Sequence, residues 1–206
     1  MAPDEASIQE SAQFIPNIEK QFTVTEFWKE NEEDGCDIYI DAVRNMPENV
    51  SIVKIIARIC DHNHENLMDP QIHFPEIDGS TYQNQRFRTK LEVRGVDMVP
   101  SSIVFLTFVT IEATSLKEKV IGTAYFPLFM NPNTKMPCIE IGNIPFNGKR
   151  TLHKGQYQMP IYNGMPVEAE RFTYQNFISL DRIPCASVLI RVDYSSIDYD
   201  GNFISI

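Results

Sequence analysis

Six cations stand at alternate positions in two strand-like runs. Lys54 and Arg58 project from Val50–Asp61 (VSIVKIIARICD) on the side opposite Val53, Ile55, Ala57 and Ile59. In Gln85–Arg94, Arg86, Arg88, Lys90 and Arg94 share a face with Glu92, while Phe87, Thr89, Leu91 and Val93 take the other. A strand repeats every two residues, so each set leaves the sheet on one side. Guanidinium and ammonium groups in such a row form charge-assisted hydrogen bonds with phosphate or carboxylate. The plainer reading is a solvated sheet face whose charge is offset by Glu92 and by acids elsewhere in the chain.

His62, His64, Glu65 and Asp69 form a second polar cluster. An H-x-H pair beside carboxylates can ligate zinc or copper, but such a run is more often an exposed turn, and no metal is expected. His73 and His153 are isolated and read as structural or solvated. The sequence has no G-x-S-x-G elbow, no P-loop and no G-x-G-x-x-G, so no catalytic residue and no cofactor is assigned. Cys36, Cys60, Cys138 and Cys185 form no C-x-x-C pair and read as reduced thiols. Cys60 and Cys185 lie in apolar runs, where cysteine acts as a small hydrophobe.

The elements that must position these residues read as strands. Cys36–Val43 alternates and leads into a turn rich in Asn, Pro and Glu. Val50–Asp61 and Gln85–Arg94 follow. Ile103–Glu112 (IVFLTFVTIE) is almost continuously apolar, as a central strand buried on both faces would be. Lys119–Phe129, Gln156–Tyr162 and Ala186–Tyr194 complete the set, with Pro160 pointing to an edge or a strand end. Residues 130–151 and 163–185 are long Pro- and Asn-bearing connections. The pattern predicts an all-β antiparallel body over residues 35–195, between an acidic arm (1–34) and a tail (196–206). The tail, IDYDGNFISI from Ile197, carries apolar residues that suit it to add a strand to a sheet edge. Within the arm, Thr25 can cap a short helix, and Phe22, Phe27 and Trp28 need a surface to pack on, so residues 22–30 are expected to dock onto the body.

Charge is unevenly spread. The chain carries 28 acids and 18 bases, for a net charge of -10. Residues 1–34 hold nine acids against Lys20 and Lys29, which leaves 19 acids and 16 bases for the remaining 172 residues. The arm is therefore at -7 and the body at -3. This balance argues against nucleic acid as a partner. No apolar run is long enough to span a membrane. The opening residues lack the basic-then-apolar pattern of a secretory signal, so a cytoplasmic setting is expected.

Four segments, in order, resemble a C2 domain. DIYIDAVRNM is similar to the family's opening strand and first loop. Asn84–Phe87 (NQRF) is similar to its N-P-x-W/F turn, with Gln85 in place of Pro. Val109–Leu128 (VTIEATSLKEKVIGTAYFPL) is similar to its penultimate loop. LHKGQYQMPIYNG followed by ASVLIRVDYS is similar to the closing segments of the C2 domains of phosphoinositide-specific phospholipases C. The order suggests the type II permutation and implies an eight-stranded antiparallel C2-type β-sandwich.

In that family, calcium is held by loop carboxylates, and the ion needs six to eight oxygens. The third-loop positions fall on Ile111, Ala113 and Lys119, and the second-loop position on Arg88. The first loop offers only Glu48, while Glu112 and Glu118 have the wrong spacing. The resemblance therefore implies a calcium-independent member. It extends to C2-like modules of coiled-coil proteins in cilia and flagella, through VSIVKIIARI and FTVTEFW. It also makes the strands of Lys54 and Arg86 neighbours, so that Lys54, Arg58, Arg86, Arg88, Lys90 and Arg94 would share one concave face. The expected function is a non-catalytic module docking a protein partner in a scaffold, or one binding an anionic phosphoinositide head group. The acidic arm could fold over the basic face and mask it. Met46, Met68, Met98, Met130, Met136 and Phe146 fall in connections, where they either insert into a partner or bilayer or fold back into the core.

Overall fold

Alternating β-branched and aromatic residues bury one face per strand, and the described residues of a computed structural model follow that pattern. These are residues 35–48, 50–51, 53–61, 64–94, 98–111, 116–131, 133–135, 137–138, 151–164, 180–197 and 203–204. They form β1 (Gly35–Arg44), β2 (Val53–Cys60), β3 (Gln71–His73), β4 (Gln85–Arg94), β5 (Ile103–Ile111) and β6 (Glu118–Pro127). Then come β7 (Phe129–Met130), β8 (Thr151–Leu152), β9 (Gly155–Asn163), β10 (Arg182–Ile197) and β11 (Phe203–Ile204). None of them is helical; the expected arm and its short helix at 22–30 lie outside the described residues.

Eight strands form one antiparallel path, β3-β2-β5-β6-β9-β10-β1-β4, which curls until it is nearly a barrel. β11 adds to β10 through Ser196↔Ile204 and Ile197↔Phe203, so part of the tail joins this chain's own sheet. β7 and β8 form a separate two-stranded ladder. The path turns at a thin seam, where β6 and β9 share only Gly122↔Asn163 and Thr123↔Tyr162. A Cβ on Gly122 would collide with the Tyr162 carbonyl oxygen, so glycine is what lets the strands meet there. Pro160 lies in the middle of β9, not at its end, opposite Ser187 of β10. The ladder to β6 does not reach it, so its missing N–H breaks no bond on that side.

The inward residues of the whole path form one core. Ile38 and Ile40 of β1, Ile55 of β2, Leu91 of β4, Leu106 and Phe108 of β5 and Ile190 of β10 are all within it. Val53, Ile55, Ala57 and Ile59 face inward as the alternation requires. β5 is buried on both faces from Ile103 to Thr110, in keeping with its unbroken apolar run. A second cluster on its outer side joins Ile103 and Phe105 to Cys60 and Tyr162. Met46, Met98 and Met130 fold back into buried positions, and Met68 is partly buried against the core; Met136 and Phe146 lie outside the described residues.

The two end strands approach one another. His73 Nδ1 on β3 is 2.8 Å from Thr89 Oγ1 on β4. The Glu76 N–H donates to the Arg86 carbonyl at 2.7 Å. Near the same edge, the register shifts between Ile40 and Ala42 in both ladders of β1. Ile38 and Ile40 point inward before that shift and Val43 after it, so the bulge corrects the alternation that Asp41-Ala42-Val43 would break.

Candidate functional site

The six cations stand on two strands that are not paired with each other. β2, carrying Lys54 and Arg58, pairs with β3 and β5; β4, carrying Arg86, Arg88, Lys90 and Arg94, pairs with β1. The expected ladder between the two strands is absent among the described residues: they touch where Val53 N–H of β2 donates to Gln85 Oε1 of β4, and β3 stands between them farther along.

Most of these cations already have partners. Lys54 Nζ lies 2.5 Å from Glu118 Oε1. The Arg58 guanidinium sits 5.8 Å above the Phe105 ring. Lys90 contacts Glu92 at 2.6 Å and Asp37 at 3.5 Å. Arg94 holds Asp37 at 2.5 Å and also donates to the carbonyls of Cys36 and Val93. Arg88 makes a looser pair with Glu76 at 3.6 Å, and its φ of 45° is a left-handed value costly for a side chain. Arg86 has no ion pair among the described residues; its guanidinium lies over Gly79, whose φ of +72° and missing Cβ leave it room.

Neighbouring strands extend this charged pattern. Asp37 faces Glu92 on β4 and Asp193 on β10, a row of three acids. The next row is Lys90, Tyr39 and Arg191. Like charges directly opposite repel, so the row of acids persists because cations bridge to it. Arg191 grips Asp41 through two hydrogen bonds of 2.7 and 2.8 Å and stacks over Tyr39. Lys154 pairs with Asp193 at 2.7 Å. The hydrogen bond to Glu92, and then the nearby acids, raise the pKa of Lys90 despite partial desolvation. Bonding to Asp41 does the same for Arg191. Asp37 is only 5% exposed, so this is a closed ion cluster rather than an open anion cradle.

The remaining candidates are structural in character. His64 packs edge-on against Phe105, with centroids 5.4 Å apart, and burial lowers its pKa. The Glu65 N–H donates to Asp61 Oδ1 at 2.9 Å, a turn-forming bond. His62 lies outside the described residues, and among those described no three metal-capable side chains converge. His153 stacks on Phe126 at 4.5 Å and meets Tyr157 edge-on; burial pushes its pKa down to about 4. Burial also lifts the Cys36 thiol to about 12 and raises that of Cys60, so both stay protonated and unreactive. Gln85, in the turn that resembles N-P-x-W/F, accepts from Val53 N–H and donates to the carbonyls of Ser51 and Tyr82. It ties the start of β2 to the β3–β4 connection. At the positions implied for calcium, Ile111 and Lys119 are exposed, and Ala113 lies outside the described residues.

Sequence reasoning missed an apolar surface. Ile72, Phe74, Ile77 and Tyr82 are exposed along β3 and the connection after it. Phe74 is 65% and Ile77 93% open to water. Ile111, Leu116 and Val120 are exposed on the β5–β6 hairpin nearby. The Ser51 hydroxyl and Gln85 amide bridge these two regions. In the sequence, the only signal is the alternation of Ile72 and Phe74 in a stretch otherwise rich in turn residues.

Compared with known proteins, the chain matches no family model and no curated protein. No helix among the described residues is long and apolar enough to cross a membrane.

Proposed function

We propose that the chain is a non-catalytic, calcium-independent docking module of the C2 type, which holds a protein partner within a larger cytoplasmic scaffold of cilium or cytoskeleton. The C2 reading is supported by the four motif-like segments and by the pairing of β1 with β10, the adjacency that a type II permutation of a sandwich requires. Its calcium-independent form is supported by an apolar and two cationic side chains, Ile111, Lys119 and Arg88, at implied ligand positions.

The observation that carries the docking reading is the concentration of exposed apolar side chains on β3, its following connection and the β5–β6 hairpin. Covering such surface gains about 25 cal/mol per Å² of apolar area, which favours association where a partner covers it. Affinity capture from ciliated-cell extract with wild type and a Phe74→Asp/Ile77→Asp variant tests it. A specific partner retained by wild type and lost from the folded variant is the expected result. Identical capture by both sinks docking through this edge.

A second reading has its own support. Arg86 lacks an ion pair among the described residues and Arg88 holds a loose one, so two exposed guanidinium groups on β4 could meet an anionic phosphoinositide head group. Salt-sensitive flotation with phosphoinositide vesicles, abolished by charge reversal at Arg86, Arg88 and Lys90, would make lipid the better assignment.

A further inference from the structure

The two ends of the sheet path meet on their inner side where His73 touches Thr89. His73 stands opposite Ile55 in the β2–β3 ladder, and Thr89 opposite Ile40 in the β1–β4 ladder, so both side chains take the core face. There His73 Nδ1 lies 2.8 Å from Thr89 Oγ1, across the gap between β3 and β4. His73 is only 8% exposed, and its Nε2 is buried with no hydrogen-bond partner among the described residues. The inner face around it is apolar: Val53, Ile55 and Ala57 on β2, Phe87, Leu91 and Val93 on β4, Ile40 on β1, and Leu106 and Phe108 on β5. The charged residues of these elements are engaged elsewhere. Lys54 pairs with Glu118, Arg58 lies over Phe105, Arg88 pairs with Glu76, and Lys90 pairs with Glu92 and Asp37. Asp37 on β1 also holds Arg94, and Asp69, before β3, is exposed. A neutral imidazole suits this place, because only one ring nitrogen carries a proton. Protonation puts an N–H on both nitrogens and a full charge on the ring. Nδ1–H can stay on Thr89, but Nε2–H would be buried without an acceptor.

We propose that His73 is a proton-operated latch at the end of the sheet path: neutral, it holds β3 against β4; protonated, it leaves the interior and β3 comes away. β3 yields first because only three register pairs, Gln71–His73 against Ile55–Ala57, join it to β2, whereas the β2–β5 ladder runs from Val53 to Cys60. Burial lowers the pKa of His73 from its ordinary 6.5, so the closed state is complete above that value and loses ground as pH falls below it. One proton limits the gain in the open form to about tenfold per pH unit. The latch stands whether or not Ile72 and Phe74 dock a partner.

Amide hydrogen exchange of the full chain, corrected for the intrinsic effect of pH, reads this opening. Between about pH 7.5 and about pH 5.5, which brackets the ordinary histidine value, protection across Gln71–His73 should fall by up to about tenfold per pH unit. His64 and His153 also favour their neutral forms, so acid weakens the whole fold as well. Protection across Ile38–Ile40 of β1, which is paired on both sides, reports that global part and should fall less. His73→Gln keeps a hydrogen-bonding side chain that does not titrate, and should bring the pH dependence at β3 down to that of β1. Circular dichroism checks that the variant is folded. Should it unfold, Thr89→Val gives the reading: it removes the hydroxyl and should lower protection at β3 already at the upper pH, leaving β1 unchanged. Protection at β3 that ignores pH overturns the latch, as does a fall matched at β1. An undiminished pH dependence in folded His73→Gln overturns it too, and so does unaltered β3 protection in Thr89→Val.

Discussion

Outward rows on β10, β1 and β4 carry charge, whereas those on β2, β5 and β6 are largely apolar. In the first, Glu92, Asp37 and Asp193 share a register row beside Lys90, Tyr39 and Arg191. In the second, Arg58, Phe105 and Tyr125 form one row and Cys60, Ile103 and Pro127 the next. Both faces bury residues, yet for different reasons. Asp37 is buried because cations close over it, and the desolvation of such a group cancels much of its Coulomb gain. Phe105 is buried because covering it removes apolar area from water, with no opposing desolvation of charge. The charged face gains specificity of register more than net stability, and the apolar face supplies stability at a few large residues.

The largest effect that tests this contrast belongs to the apolar face. Phe105→Ala removes a fully buried ring from contact with Cys60, Ile103 and Tyr162 and should cost about 3–5 kcal/mol, read from the urea midpoint. A loss under about 1 kcal/mol would mean that the outer cluster is not a working part of the core.

Acid is the next lever. His153, His64 and His73 all have pKa values lowered by burial, so each favours its neutral form in the fold. Their contribution is complete above the unfolded value of 6.5 and is lost as pH falls below it. For His153 the loss continues to about pH 4 and then levels off. Over that window His153 alone accounts for about 3 kcal/mol. Stability measured from pH 7 to pH 4 should fall, and His153→Gln should flatten the slope. An unchanged slope would remove His153 from the account.

On the charged face, Asp37→Asn keeps the side chain's shape but leaves Arg94 with one anion fewer. It should cost about 2 kcal/mol, and a double-mutant cycle with Arg94→Met should return coupling of the same order. A cost matching that of Phe105→Ala would break the contrast, since the ion cluster would then stabilise as strongly as apolar burial.

Much of this contrast was legible in the residues, and its limits have physical causes. The alternation in Gln85–Arg94 assigned inner and outer faces that the burial bears out, and the run in Ile103–Glu112 is buried on both faces as far as Thr110, with Ile111 exposed. A strand's own period fixes which side a residue takes, but says nothing about which strand lies beside it. Lys54 and Arg86 accordingly stand on strands with no ladder between them, and only the Val53–Gln85 hydrogen bond beside them joins the two. β3 was missed because three residues, Gln71–His73, are too few to show a period. The exposed edge was hidden for a related reason: Phe74 and Ile77 read like any apolar residues in a loop until the fold leaves them uncovered. Asp37 was passed over as a site because only its pairing with Arg94, across strands and 57 residues away, makes a buried carboxylate tenable.

The smallest expected effect is also the sharpest test of how exposed charge behaves here. Arg191 and Asp41 have ideal two-bond geometry, yet their side chains remain 46% and 30% exposed. An ion pair of that kind is worth about 0.5 kcal/mol, and salt at 1 M screens it because the Debye length falls to about 3 Å. Asp41→Asn should therefore cost little and become nearly neutral at high salt, whereas Asp37→Asn should keep most of its cost, its partners being shielded from the ions. Equal salt sensitivity at the two positions would mean that burial does not distinguish them, and the charged face would have to be treated as one solvated surface.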